Sequence, residues 1–470
     1  MELGALLADR FEIEQSIGTG GMSEVFRALD RATGETVAVK VISDGPEHHS
    51  ARFAREVELL AELSHPGIVR YVDHGETPAG ELFLAMEWLD GEDLRSRLDR
   101  APLSIGEAVT LAARVADALG AAHARGIVHR DLKPSNLFLP GGRIDQVKVL
   151  DFGIAHREGR TQLTQTGLMV GTPGYMAPEQ AGNHDDIDAR ADVFALGCVL
   201  FHCLTGAPPF DGDSAVAILA KILFGEAPKV SELWPEVPED LDALVARMLA
   251  KEPALRPSDG ANLAAALAAL GPRVHSAAVA PRDRVAPPAA ITGGERRLLA
   301  VVLLGPAAAD RAPEQDAGGG DALRELQPAI KPYGGRLEQL ADGSTIVVFE
   351  ADRQVATDQA AQAARCALAM RALVKGRPIA IAMGRTESAR NLPEGDVLDR
   401  ASQLLADARR APGDPPGIAL DEVCAGLLDA RFDVVEREAG LVLHGERPLA
   451  QGARTLLGRP TSCVGRDWEL

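Results

Sequence analysis

His129-Arg130-Asp131-Leu132-Lys133-Pro134-Ser135-Asn136, followed twenty positions after its aspartate by Asp151-Phe152-Gly153, is the stretch on which the reading of this chain turns. It sets a carboxylate, an ammonium and an amide within a few residues, and a second carboxylate follows a short strand-like run over 147–150. Magnesium-assisted phosphoryl transfer needs such a set. The reaction leaves little covalent work to protein groups, so catalysis rests on positioning and on charge stabilisation around the transferred group. In this reading Asp131 accepts the proton of the acceptor hydroxyl. Asn136 and Asp151 offer the hard oxygen ligands that Mg²⁺ prefers, and Lys133 approaches the transferring phosphate. Each residue alone carries little information; their spacing carries it.

A chain of 470 residues exceeds what one hydrophobic core usually serves, so two or more domains are expected. Hydrophobic content of 46% with 25% charged residues is that of a soluble globular protein rather than a disordered one. The net charge of −19 argues against nonspecific binding to nucleic acid or anionic membrane. The five cysteines, Cys198, Cys203, Cys366, Cys424 and Cys463, form no CxxC pair, so neither a zinc site nor a disulfide framework is indicated. Residues 1–10 do not read as a signal peptide, and no stretch offers about 18 uninterrupted apolar residues. The expectation is a cytoplasmic protein with no membrane span.

Upstream, residues 11–29 read as two strands around Ile17-Gly18-Thr19-Gly20-Gly21-Met22-Ser23-Glu24-Val25, whose glycines would let backbone N–H groups approach phosphates. Ser23 stands where a third glycine would complete the pattern, and a plain hairpin turn is the competing reading. Residues 36–42 alternate as a strand with one cation, Lys40. The next segment, 51–63, has helical periodicity and projects Glu56; an ion pair between Lys40 and Glu56 would aim the lysine at α- and β-phosphates. Residues 82–88 read as a strand ending in the turn-rich Glu87-Trp88-Leu89-Asp90-Gly91. A hinge there would separate a strand-rich N-terminal lobe from a helical C-terminal one. Residues 108–125 form an alanine-rich helix leading into the catalytic stretch.

Taken together, residues from about 11 to 270 resemble a bacterial protein kinase of the eukaryotic Ser/Thr type: the glycine loop, Val37-Ala38-Val39-Lys40, Glu56, His129-Arg130-Asp131, Asn136, Asp151-Phe152-Gly153 and Ala177-Pro178-Glu179 occur in family order. The resemblance implies an α+β, bilobal kinase fold over 1–270, with an N-lobe at 1–88 and a C-lobe at 89–270. It implies ATP and Mg²⁺ (or Mn²⁺) in the cleft, protein substrates bearing Ser or Thr, and a role in bacterial signalling. By resemblance, Asp131, Lys133, Lys40 and Glu56 are catalytic. ATP is held by Ile17, Gly18, Thr19, Gly20, Gly21, Met22, Ser23, Val25, Ala38, Lys40, Glu87, Leu89, Asp93 and Phe138. Val25, Ala38 and Phe138 would sandwich adenine, the backbone of Glu87 and Leu89 would hydrogen-bond it, and Asp93 would reach the ribose. Asn136 and Asp151 would hold the metal. Lys133 and Thr172, in Gly171-Thr172-Pro173-Gly174-Tyr175, resemble the Ser/Thr-specific pattern. Among Thr161, Thr164 and Thr166, the Leu163-Thr164-Gln165-Thr166-Gly167 run resembles an autophosphorylated segment, with Arg130 as partner for the added charge. Asp192 would brace the catalytic loop, and Arg256 would pair with Glu179 in the scaffold.

Residues 271–294 are rich in Pro, Ala and Arg and read as a linker. From 295 to 446 the order is strand (298–304), helix (321–330), hairpin (335–340 with 344–349), helix (357–374), strand (378–383) and helix (398–409), an α/β sandwich. Tyr333-Gly334-Gly335, Ala341-Asp342-Gly343 and the run from Val397 to Leu404 make it similar to a class III nucleotide cyclase homology domain of ferredoxin-like type. The resemblance implies lost chemistry. Leu303, Leu304 and Gly305 stand where the first metal aspartate belongs, only Asp342 matches the second, and Asp399 and Gln403 occupy the positions of the catalytic asparagine and arginine. A regulatory or dimerising domain is the expectation, with a homodimer through either domain as one consequence. An active cyclase regulated by the kinase half, and a pseudokinase scaffold, are the alternatives. Residues 447–470 resemble the entry to an AAA-type NTPase module and contain no P-loop.

Overall fold

The computed structural model describes residues 4–19, 23–42, 63–78, 80–152, 173–182, 186–212, 214–270, 297–306, 326–350, 356–374, 376–386, 396–410, 417–437, 440–447, 454–456 and 459–461. Six antiparallel strands open the chain: β1 (Leu6–Leu7), β2 (Phe11–Thr19), β3 (Ser23–Asp30), β4 (Thr36–Ile42), β5 (Tyr71–Glu76) and β6 (Leu82–Glu87), in spatial order β1-β2-β3-β4-β6-β5. In β4 the β-branched Val37, Val39 and Val41 are buried, while Ala38, Lys40 and Ile42 face the other way and stay partly exposed. The buried face closes over Phe11, Ile13, Phe26 and Phe83, a core of its own in which Phe11 meets Phe83 edge-on at 6.1 Å. The opposite face, carrying Lys40, is left for the cleft.

The helical half begins with β7 (Gly91–Asp93), α1 (Leu94–Arg100) and α2 (Ile105–His123), then β8 (Leu137–Pro140) and β9 (Lys148–Val149), which complete a small sheet in the order β7-β8-β9. Ser104 and Glu107 form a reciprocal capping box that fixes the start of α2. Next come α3 (Pro178–Ala181), α4 (Ala189–Thr205), α5 (Ala215–Phe224), α6 (Val230–Leu233), α7 (Glu239–Met248) and α8 (Gly260–Ala269). Helix α4 is apolar on nearly every side and is buried, and Gly206 ends it in the left-handed conformation at φ 82° that a Cβ would oppose.

Lys251, after α7, is partly buried with its ammonium 4.1 Å above the Phe210 ring and donating to the Ile222 carbonyl at 2.5 Å. Desolvation outweighs these contacts and pushes its pKa down to about 7. Between that value and the ordinary one the unfolded chain holds a proton that the folded chain has released, so the wild type should gain stability as pH rises through this window. Urea midpoints at pH 7 and pH 9 should show a gain of about 1–2 kcal/mol that Lys251→Met lacks. Equal slopes for the two proteins would remove Lys251 from the account.

The C-terminal half is built on β10 (Arg297–Leu304), β11 (Arg336–Gln339), β12 (Thr345–Glu350), α9 (Ala356–Leu373), β13 (Ile379–Thr386), α10 (Asp396–Arg410), β14 (Ile418–Leu420), α11 (Glu422–Leu427), β15 (Phe432–Arg437) and β16 (Gly440–Glu446). One seven-stranded sheet runs β11-β12-β10-β13-β14-β16-β15, antiparallel except for the β13–β14 pair. Ala300, Val302 and Leu304 of the central β10 face α9, while Leu299, Val301 and Leu303 face α10. Helices therefore cover both faces. The strands and helices read from sequence in this half lie within three residues of these bounds, while the helix read over 51–63 lies outside the described residues. The expected 321–330 helix is described only from 326, and β14, α11, β15 and β16 have no counterpart in the sequence reading. Among the described residues no helix is long and apolar enough to cross a membrane.

Candidate active site in the cleft

The catalytic stretch turns through a single 3-10 turn at Pro134–Asn136 before entering β8, with Leu132 and Pro134 buried as anchors. This brings two donors onto the Asp131 carboxylate. Lys133 Nζ donates to Oδ1 at 3.1 Å and Oδ2 at 2.8 Å, and Asn136 Nδ2 donates to Oδ2 at 3.1 Å and to the Asp131 carbonyl at 2.8 Å. The backbone is held from below. Asp192, fully buried at the start of α4, accepts from the His129 N–H at 2.7 Å and the Arg130 N–H at 2.8 Å. His123 Nε2 lies 2.8 Å from the same carboxylate; because its Nδ1 accepts from the Gly260 N–H at 3.0 Å, the proton sits on Nε2. Arg130 adopts φ 65°, a conformation costly for a residue with a Cβ and kept by its surroundings.

His129 links this loop to the second carboxylate. Its Nδ1 accepts from the Asp131 N–H at 3.2 Å, so Nε2 donates to the Leu150 carbonyl at 2.8 Å, and its ring lies 4.8 Å from that of buried Phe152. Asp151, at φ 51°, forms an ion pair with Lys40 at 2.9 Å, both half-buried. Lys40 sits in register between Val25 on β3 and Leu84 on β6, which puts Val25, Ala38 and Lys40 along one side of the cleft. Tyr71 is buried nearby, and desolvation, then the charge of Asp151, push its phenol well above the usual range.

Glu87 ends β6 and Leu89 lies in the junction that follows it. The Glu87 carboxylate accepts from Lys148 Nζ at 2.6 Å and the Arg70 N–H at 2.8 Å, so its side chain clasps the two lobes. Phe138, partly exposed on β8, is paired in register with Asp93. Asp93, expected to reach the ribose, accepts from the Ser96 N–H at 2.7 Å through its Oδ1 and caps α1, which leaves its second oxygen for another partner. Ile17 is exposed, and Gly18 faces open space. Gly20, Gly21, Met22, Glu56, Thr161, Thr164, Thr166 and Thr172 lie outside the described residues, as does any ion pair between Lys40 and Glu56. Thr19 ends β2 and Ser23 begins β3.

Glu179 and Arg256 form a bidentate pair at 2.7 and 2.9 Å, and the guanidinium also donates to the Ala250, Lys251 and Arg190 carbonyls. Three residues that the sequence reading passed over belong to this frame. Gln180 Nε2 donates to the Arg130 carbonyl at 2.7 Å, His123 fixes Asp192, and Lys148 meets Glu87. Gln180 directly follows Ala177-Pro178-Glu179, the one signal that pointed to it.

In the C-terminal half, Asp342 is buried, and both oxygens accept from Ser344, from its N–H at 2.9 Å and its hydroxyl at 2.8 Å, across a turn that Gly343 makes at φ 78°. Burial pushes this carboxyl up. Gln403 donates to Asp407, and Asp399 forms an ion pair with Lys221 of the C-lobe. Asp342 and Gln403 are thus engaged by their near neighbours, and Asp399 by the C-lobe.

Residues 11–268 match the protein kinase domain family over more than half of the chain, and the chain belongs to it. Its relatives are Ser/Thr kinases. The probable serine/threonine-protein kinase PknB of Lactococcus lactis is 41% identical over 257 residues, covering 54% of this chain and 40% of that protein. The DNA damage-responsive serine/threonine-protein kinase RqkA of Deinococcus radiodurans is 41% identical over 266 residues, covering 56% and 39%. PknB of Mycobacterium tuberculosis is 40% identical over 280 residues, covering 57% and 44%. The chain thus spans less than half the length of these relatives. Among solved structures, Rad53 residues 1–466 in complex with AMP-PNP is similar at 27% identity and a TM-score of 0.46, covering 54% of this chain and 64% of that one.

Proposed function

We propose that this chain is an ATP- and Mg²⁺-dependent kinase that transfers the γ-phosphoryl group to Ser and Thr hydroxyls of proteins, its own activation segment included. The observation that carries this reading is the Asp131 carboxylate held by Lys133 and Asn136 on a backbone braced by Asp192, with Asp151 tied to Lys40. Asp131 takes the acceptor proton and Lys133 steadies the transferring group. Lys40 orients the α- and β-phosphates, backbone groups at Glu87 and Leu89 receive adenine, and Asp93 offers its remaining oxygen to the ribose. Asn136 uses its amide nitrogen on Asp131, which leaves its amide oxygen as a ligand. With the Asp151 carboxylate this gives the hard oxygen set that fits Mg²⁺ or Mn²⁺. When bound, the metal supplies charge neutralisation of the nucleotide phosphates. The Arg130 guanidinium has no partner among the described residues, which favours a phosphorylated Thr164 or Thr166 as its occupant.

The intact Lys40, Asp131, Asn136 and Asp151 weigh against a pseudokinase. The C-terminal domain is read as a degenerate cyclase-like regulator without cyclase chemistry, because Asp342, Asp399 and Gln403 are each engaged in structural contacts. A cytoplasmic signalling role completes the proposal. Incubating the purified chain with γ-labelled ATP and Mg²⁺, then mapping by mass spectrometry, tests it. Label on Thr164 or Thr166 that disappears in Lys40→Met is the expected result; equal label in that variant would sink the reading. Cyclic nucleotide made by the same chain would overturn the regulator role.

A further inference from the structure

The C-lobe and the C-terminal sheet meet on the face bearing α10, and the apolar cluster runs unbroken from α5 to Leu340, Val397 and Leu398. Three contacts define this seam. Lys221 of α5 pairs with Asp399 of α10 at 3.1 Å, with the side chains only 15% and 16% exposed. Arg336 of β11 lies 5.0 Å over the Phe224 ring that ends α5. The Ala341 N–H donates at 2.9 Å to the carbonyl of Ala181, the last residue of α3. That carbonyl has no partner within its own four-residue helix, so the neighbouring domain completes it.

Helix α3 leads straight to the catalytic loop. Gln180 is fixed at both ends of its amide, accepting from the Ala177 N–H at 3.1 Å and donating to the Arg130 carbonyl at 2.7 Å. Arg130 carries positive φ and precedes Asp131. A strained residue keeps its conformation only while its neighbours over-determine it. Docking of the C-terminal domain therefore adds support two residues of chain and one side chain away from Asp131.

We propose that the C-terminal domain is a positioning brace: docked through Lys221 and Asp399, it holds α3 by Ala341, and α3 holds the catalytic loop by Gln180. This rests on the kinase reading above. The docked form is the ordered one. It has Asp131 held by Lys133 and Asn136, Lys40 on Asp151, and Phe152 against His129, so undocking lowers turnover rather than releasing it. Lys221 and Asp399 act as positioning residues and touch no substrate.

The test uses the full chain as Asp399→Lys, Lys221→Asp, the double exchange of both, and Gln180→Leu. Steady-state kinetics with ATP and casein accompany amide hydrogen exchange over α5 and α10. Each single charge variant should lower kcat about tenfold with KM for ATP unchanged, and should raise exchange at both helices. The double exchange should restore both readouts in part, since an aspartate at 221 re-forms the pair with residue 399 but cannot donate to the Asp211 carbonyl as Lys221 does at 2.6 Å. Gln180→Leu should lower kcat alike without moving exchange at α5, since it cuts the path and spares the seam. Unchanged or increased kcat in the charge variants, exchange that stays at the wild-type level, or no recovery in the double exchange would each overturn the brace. A wild-type chain that transfers no phosphate would overturn the kinase reading and the brace together, whereas an active wild type beside equally active variants overturns the brace alone.

Discussion

Asp131→Asn should lower kcat for protein phosphorylation by about 10²–10⁴-fold while KM for ATP stays near the wild-type value. The asparagine keeps the size of the side chain and one acceptor oxygen for Lys133. The backbone contacts that shape the loop, from Asp192 to His129 and Arg130 and from Asn136 to the residue 131 carbonyl, do not involve the substituted atoms. What is lost is a carboxylate able to take a proton from the incoming hydroxyl, together with the charge that holds Lys133 between 131 and the transferring group. The loss therefore falls on the chemical step. Single-turnover kinetics with saturating ATP and a casein substrate would read it directly, with circular dichroism and urea midpoints showing the fold retained. Turnover within about threefold of the wild type would remove Asp131 from the role of base.

The parts of this site that could be read in the sequence are those where chemistry dictates residue type and spacing together. Asp131, Asn136 and Asp151 are the residue types that metal-assisted phosphoryl transfer asks for, and they sit close enough in the chain for the pattern to show. Gln180, His123 and Lys148 are single polar residues whose partners lie 50, 69 and 61 positions away, so their roles exist only after folding. Asp93 shows a second kind of difficulty. An aspartate ahead of a helix suits a ribose contact and an N-cap alike, and only the position of Ser96 shows that one of its oxygens is taken by the cap.

In the C-terminal half the longer elements were legible through period. The near-continuous apolar run of β10 belongs to a strand covered on both faces, and α9 and α10 are long enough to show helical spacing. A three-residue strand such as β14 cannot show a period. The β15–β16 hairpin is only half-buried, so its alternation is diluted by charges. The seam between the two halves was illegible for a related reason: Lys221, Arg336 and Asp399 look like ordinary surface charges until the two domains meet.

Arg256→Ala should destabilise the protein by about 3–5 kcal/mol, the cost of leaving one member of a buried pair without the other. The side chains of Arg256 and Glu179 are 0% and 8% exposed, so water cannot take the place of either. The guanidinium meets both Glu179 oxygens, three carbonyls and the Phe194 ring at 4.9 Å, so its loss strands a carboxylate and backbone acceptors in one step. Arg256→Lys keeps the charge but cannot reproduce the planar fork, so most of the loss should persist. Replacing both residues by leucine removes the charges together and should be less damaging than Arg256→Ala alone, since no uncompensated carboxylate remains. Urea denaturation of the four proteins measures this order. Because Glu179 stands beside Gln180, loosening the pair also loosens the residue that holds the Arg130 carbonyl. Below the unfolding transition, Arg256→Lys should therefore lose turnover before it loses helix content. An Arg256→Ala protein within about 1 kcal/mol of the wild type would show that the pair is solvated in solution and that α3 is anchored elsewhere.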